Sequence, residues 1–219
     1  MPKTLLPYGD GTILSRIIGN FAAINVSRFT IVIGFKGDMI RTYLEGQHNF
    51  GHEISFIENL EYERGNGLSV AAARGALEDT NAAFLSMSDH LVHPDGLAAL
   101  KHASGNALLT DSRIDEVFDL DDATKVRTHG DRIVDIGKEL TAYDAIDCGV
   151  FRVDRAFMDA LDAQIAAGKE SISDGVKSLI AAKDFKSVPI PNHCVWIDID
   201  TPAAYEAALT LEERFRSGH

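Results

Sequence analysis

Carboxylates recur at the ends of strand-like runs. Phe84–Met87 is followed by Ser88-Asp89-His90, and Cys194–Ile197 by Asp198-Ile199-Asp200-Thr201-Pro202. Open α/β sheets bind ligands beyond the carboxyl ends of their strands. Two acidic clusters opening on one cleft suit a hard cation shared with phosphate, because magnesium takes one or two carboxylates and fills its shell with water and phosphate oxygens. A second reading stands beside it: Asp-x-Thr-Pro is a helix start, so Asp198 or Asp200 serves as a cap. The two readings combine if Asp200 or Thr201 caps while Asp198 binds. His90 and His93 lie three residues apart and raise a zinc reading. No third nitrogen or sulfur donor lies nearby in the chain and oxygen donors dominate, so His93 reads as a solvent-facing loop residue. Lys138, in Ile136-Gly137-Lys138-Glu139-Leu140, and Lys125, in Asp121–Val126, are each either a phosphate-binding cation or a solvated surface lysine. Arg64-Gly65-Asn66-Gly67 precedes a helix start. Its backbone amides suit a polar ligand and Asn66 suits a base edge, or the segment is a turn and cap. Ser88 lacks the G-x-S-x-G setting of a hydrolase nucleophile, and neither G-x-G-x-x-G nor a Walker A sequence occurs.

The elements that must hold these residues alternate along the chain. Phe29–Gly34, Ile54–Ile57, Phe84–Met87 and Ala107–Leu109 are short strand-like runs. Ile13–Ile24 carries Ile13, Ile17, Phe21 and Ile24 on one helical face, and Gly67–Leu77, Pro94–Ala103, Arg155–Ala167, Ile172–Ala182 and Pro202–Phe215 read as helices. Strands alternating with helices predict parallel pairing by crossover and a sheet covered on both faces. After residue 110 the pattern changes: Val126–Asp135 reads as a hairpin around His129-Gly130-Asp131-Arg132, and Ala145–Val153 as a strand.

The chain has 219 residues, one large α/β domain by length, with 21 basic and 33 acidic residues and a formal charge of −12. That sign disfavours a nucleic-acid partner, which needs a basic face. No apolar run approaches the roughly 20 residues that span a bilayer, and Met1–Gly11 lacks the apolar core of a signal peptide. Cys148 and Cys194, without a C-x-x-C pair, read as reduced thiols of a cytoplasmic protein.

Taken together, these segments resemble the sugar-nucleotidyltransferase family. Pro2-Lys3-Thr4-Leu5-Leu6-Pro7 looks like its signature lysine segment, Asp89 like its metal-binding aspartate, and Trp196–Pro202 like its C-terminal metal motif. Within that family, Glu63–Ser69, Ser86–Val92, Asp119–Val126, Ile136–Leu140 and Ile146–Phe151 look most like CTP:inositol-1-phosphate cytidylyltransferases, with phosphocholine and sugar-1-phosphate nucleotidyltransferases as nearest competitors. The resemblance implies a Rossmann-like α/β fold with a mixed, mostly parallel sheet, one domain over 1–219, with a nucleotide half (1–110) and an acceptor half (111–219). It implies transfer of CMP from CTP to inositol 1-phosphate, with Mg2+ on Asp89 and Asp198 and Asp200 in support. It places Lys3 on the CTP phosphates, Lys138 on the acceptor phosphate, Asn66 and Gly67 at cytosine, and Asp147 and Gly149 at the acceptor hydroxyls. Glu170 and Asp174 are further acceptor-side candidates, and Lys125 is either a phosphate contact or part of a structural ion pair. The family opens with a strand and a loop of the form L-A-A-G-x-G-x-R that cradles triphosphate, whereas this sequence starts at Met1-Pro2-Lys3. The expectation is a sheet short of a central strand, weakened catalysis, and a homodimer or another segment filling the gap. A nucleotide-binding subunit without catalysis is the rival reading.

Overall fold

A computed structural model of the chain describes residues 1–182 and 184–215. In chain order the strands are β1 (Pro7–Tyr8), β2 (Gly11–Thr12), β3 (Arg28–Ile33), β4 (Glu53–Glu58), β5 (Ala83–Ser86), β6 (His90–Val92), β7 (Ala107–Asp111), β8 (Lys125–His129), β9 (Arg132–Gly137), β10 (Ala145–Val153), β11 (Lys186–Pro189) and β12 (Trp196–Asp198). The helices are α1 (Ile13–Ala23), α2 (Gly37–Gly46), α3 (Asn66–Ala72), α4 (Pro94–Lys101), α5 (Arg155–Ala166), α6 (Ile172–Ala181) and α7 (Pro202–Thr210). No helix among the described residues is long and apolar enough to cross a membrane.

The main sheet has six strands in the order β5-β10-β7-β11-β9-β8, and β10 also pairs with β8. It is mixed. Strands β5, β7, β8 and β11 run one way and β9 and β10 the other, so the directly parallel ladder within this sheet is β7–β11. The parallel pair β3–β4 and the antiparallel pair β6–β12 form separate hydrogen-bonded groups among the described residues.

Alternation along the central strands builds two cores. On β7, Ala107 and Leu109 face one apolar cluster and Leu108 the other. On the first side lie Ile13, Ile17 and Phe21 of α1, Leu97 and Leu100 of α4, and Ala208 of α7. On the second lie Phe157 and Leu161 of α5 and Val176 of α6. Strand β10 is buried almost throughout, as a strand covered on both faces must be. A third cluster joins Leu14 and Ile18 of α1 to Leu44 of α2.

Differences from the sequence reading have local causes. The stretch Gly67–Leu77 divides into α3 and a 3₁₀ turn over Arg74–Leu77, and Pro202–Phe215 into α7 and a 3₁₀ turn over Glu212–Phe215. The final strand begins at Trp196 rather than Cys194, so Asp198 is its last residue, not the one after it. Helix α2 and strands β6 and β11 were not anticipated. Both cysteines are free and buried.

Candidate active site

Three elements converge at the acidic residues. Asp89 lies between β5 and β6, and Asp198 ends β12, directly opposite His90 in the antiparallel β6–β12 register. Lys3, in a 3₁₀ turn over Lys3–Leu5, donates to Asp89 Oδ2 at 2.8 Å and to Asp200 Oδ1 at 2.6 Å. The capping question resolves in favour of Thr201, whose hydroxyl accepts from Ala204 N–H at 3.1 Å at the start of α7, leaving both carboxylates free for the cleft.

His90 completes the cluster. Its Nδ1 lies 2.9 Å from Asp89 Oδ1 and 3.6 Å from Asp198 Oδ1. Burial pulls this imidazole down, but the Asp89 hydrogen bond and the charges of Asp198, Asp89 and Asp147 outweigh it and hold the pKa above its ordinary value. For Asp89, burial is outweighed by His90 and Lys3, and the carboxyl stays well below the usual range. Asp198 goes the other way. Burial and the negative charges of Asp89 and Asp200 prevail over His90 and Lys3 and push it up to about 7. Its Oδ1 is buried with no hydrogen-bond partner. Donor atoms of Asp89, His90 and Asp198 all lie within 4.8 Å of one another. An unsatisfied buried oxygen among crowded carboxylates is relieved by a divalent cation, so these residues fit one.

The strand next door shapes the opposite wall. The pairing of β10 with β7 shifts between Asp147 and Phe151, around Gly149, whose φ is +75°. A Cβ there would sit 2.2 Å from the His90 ring, so only glycine lets the imidazole approach. Gly149 N–H donates to Asp147 Oδ1 at 2.6 Å, and burial raises Asp147 to about 6. Behind His90, Trp196 stacks at 6.1 Å and 10° and donates its indole N–H to Asp111 Oδ2 at 2.8 Å. Arg113 in turn holds Asp111, and its hydrogen bonds, with that of Trp196, keep the carboxyl low despite burial. The sequence reading missed this chain of contacts because its members lie up to 106 positions apart in sequence, from His90 to Trp196 and back to Asp111.

The carboxylates open into a cavity of about 190 Å3. It brings Asp89, Asp198 and Asp200 together with Asn66, Lys138, Asp147 and Gly149. Lys138 pairs with Asp122, both oxygens at 2.8 Å, and stays half-exposed. Asn66 lines the cavity while its Oδ1 accepts from Ile172 N–H at 2.9 Å, tying α3 to α6. Five candidates sit outside the lining: Lys3, beside its carboxylate partners, and four others. Gly67 gives its N–H to the Glu170 carbonyl at 2.8 Å. Glu170 pairs with Arg64, and Asp174 closes a capping box with Ser171 at the start of α6. Lys125 is buried and donates to the Asp121 carbonyl at 2.8 Å, so it is no solvated surface lysine. His93, expected to face solvent, is also buried, and its ring accepts from Asp95 N–H as the cap of α4.

Known proteins resemble this chain along nearly its whole length. Two curated proteins named "Bifunctional IPC transferase and DIPP synthase" are similar: that of Rubrobacter xylanophilus is 28% identical over 92% of this chain and 45% of its own length, and that of Aquifex aeolicus 31% over 95% and 46%. The chain thus spans about half the length of the curated relatives it matches. Among solved structures, the inositol-1-phosphate CTP transferase from T. maritima superposes with a TM-score of 0.86 at 23% identity, covering 100% of this chain and 89% of that one. A UDP-glucose pyrophosphorylase shares the fold at a TM-score of 0.79 and 15% identity, over 99% and 92%. Residues 1–116, more than half of the sequence, match the MobA-like NTP transferase domain, and the chain belongs to this nucleotidyltransferase family.

Proposed function

We propose that this chain transfers CMP from CTP to inositol 1-phosphate, giving CDP-inositol and pyrophosphate. The observation that carries the reading is the bare Asp198 oxygen among Asp89, His90 and Asp200 in a cavity that Lys138 and Asp147 also line. The names of the similar proteins supply the substrate pair.

In this reading Asp89 and Asp198, with Asp200 in support, hold Mg2+, which when bound neutralises phosphate charge. The acceptor phosphate oxygen attacks the α-phosphorus of CTP in line. A P–O bond forms to the acceptor as the bond to the β-phosphate oxygen breaks, and pyrophosphate leaves with the electron pair. The nucleophile is already anionic, so positioning and charge neutralisation matter more than a general base. Lys3, now on Asp89 and Asp200, would turn to the CTP phosphates. Lys138 leaves Asp122 for the acceptor phosphate. Asp147 and the Gly149 backbone meet the polyol hydroxyls, and Asn66 stands at the cytosine side. Gly67, with Glu170, Asp174 and Lys125, supports these elements from outside the cavity. The acceptor half of this division of labour comprises residues 111–219 and the nucleotide half 1–110.

The test is a matrix of nucleotides and acceptors with Mg2+, read by 31P NMR of the product. CTP with inositol 1-phosphate gives the diphosphate diester, and UTP, GTP or ATP, or phosphocholine and glucose 1-phosphate as acceptors, give far slower turnover. A faster reaction with phosphocholine or a sugar phosphate overturns the acceptor assignment. Binding of CTP with no pyrophosphate from any pair overturns catalysis. Lys138→Ala raises KM for inositol 1-phosphate at least tenfold with KM for CTP little changed; equal effects on both remove Lys138 from the acceptor site.

A further inference from the structure

At the other end of the β6–β12 ladder lies a second cluster, which the nucleotidyl-transfer reading does not use. His93 follows β6, and His193-Cys194 precedes β12. The His93 N–H bond to the Val195 carbonyl (3.0 Å) continues the ladder past its last pair and brings the two segments side by side. His93 Nδ1 lies 3.5 Å from Cys194 Sγ, His193 Nε2 lies 2.7 Å from Asp95 Oδ2, and the two imidazoles meet edge to face at 5.8 Å. One donor atom from each of His93, Asp95, His193 and Cys194 falls within 4.8 Å of every other. Ligands of a tetrahedral zinc ion stand roughly 3.3–3.8 Å apart, so small side-chain adjustments close the shell, with His93 Nδ1 exchanging the Asp95 N–H at the start of α4 for the ion.

We infer that His93, Asp95, His193 and Cys194 form a structural site for Zn2+, separate from the oxygen-rich centre at Asp89 and Asp198. The donor set of two imidazoles, one thiolate and one carboxylate selects a borderline-soft ion over magnesium. Thiolate and carboxylate balance the charge of the ion. Half of the shell is fixed in advance: His93 and Cys194 are buried, and Arg113 donates to the Asn192 and Cys194 carbonyls at 2.9 Å each, holding the loop. The other half is open, with the His193 and Asp95 side chains 64% and 58% exposed, which gives the ion a way in. Burial, aided by His193 and Arg214, holds His93 low and hence neutral, the form that ligates. Burial raises Cys194 to about 11, so binding expels the thiol proton to solvent. The bound ion clamps β6 to β12 about 10 Å along the ladder from His90 and Asp198, and so holds the strands that present the acidic centre.

The full chain, stripped of metal and kept in excess Mg2+, is titrated with Co2+ alone. One equivalent produces a thiolate-to-cobalt charge-transfer band in the near ultraviolet with the visible bands of tetrahedral Co2+, and Zn2+ displaces it while raising Tm by several degrees. The sulfur band separates this site from Asp89, His90 and Asp198, which offer no sulfur. Cys194→Ser abolishes the band. Because Cys194 is buried, His193→Gln, on an exposed side chain, is the variant safe for folding: it weakens Co2+ binding at least tenfold. Absence of the sulfur band in the native chain, or unchanged Co2+ affinity in a folded His193→Gln chain, overturns the inference and leaves a hydrogen-bonded cluster without metal.

Discussion

Single residues in the cleft carry opposing electrostatic demands. Asp147 is partly buried and raised to about 6, above the value near 3.9 of an unfolded chain. Its neutral form is the one the fold favours. The stability tied to it is fully present below pH ~4 and is lost as pH rises to about 6, because there the unfolded chain has released a proton that the folded chain still binds. Asp147→Asn, which keeps the oxygen accepting from Gly149 N–H, therefore gains stability over wild type across that window, on the order of 2 kcal/mol by pH 7. Denaturant melts of both chains from pH 4 to 7.5 check this; a difference that is flat with pH contradicts it. Gly149→Ala tests the opposite wall. A methyl 2.2 Å from the His90 ring, on a backbone at φ +75°, costs about 1–3 kcal/mol and displaces the imidazole that braces Asp89. A Tm within a degree of wild type would show that the bulge yields freely.

At the scale of elements, what the sequence reveals depends on whether the cause of an element is local. Ala145–Val153 is legible to its last residue because its apolar residues, interrupted at Asp147, Gly149 and Arg152, stop at Asp154, the cap of α5. The hairpin is legible because Gly130, at φ +64°, sits in its turn. Thr12 and Ser15 announce α1 through a capping box. Helix α2 has no such signal: it starts after Lys36, a left-handed residue with no side-chain cap. Strand β11, four residues with Lys186 at one end and Pro189 at the other, exists because β7 and β9 flank it, not because its own pattern demands a strand. The same division runs through the site. Asp89 and Asp198 stand out because each ends a strand-like run, whereas the meeting of His93 with Cys194 depends on a register between segments 101 residues apart. The cap assignment makes its own prediction. Thr201→Ala loses a hydroxyl that satisfies Ala204 N–H and costs about 1 kcal/mol, while Asp200→Asn leaves that cap intact, loosens the exposed Lys3 pair and lowers the affinity for divalent cations. A larger loss of stability in Asp200→Asn than in Thr201→Ala would return the capping role to the carboxylate.

The whole molecule carries a formal charge of −12, yet the proposed substrates are both anions. Long-range repulsion of that size must be cancelled locally. Lys3 and Lys138 are already paired with carboxylates, so the cleft by itself offers little net positive charge. Chelation with EDTA is thus expected to abolish CTP binding in calorimetry and added Mg2+ to restore it; tight binding in EDTA would mean that side chains alone bear the triphosphate. The strands, meanwhile, fall into separate hydrogen-bonded groups among the described residues, with β3–β4 apart from β5. The most direct test of the account is pyrophosphate release from CTP and inositol 1-phosphate with Mg2+, measured on the native chain and on Asp89→Asn. The account predicts release that requires all three components and falls by at least ~100-fold in the variant, the scale of losing one transition-state charge contact. Release that survives in Asp89→Asn at the native rate, or that proceeds without inositol 1-phosphate, would contradict it.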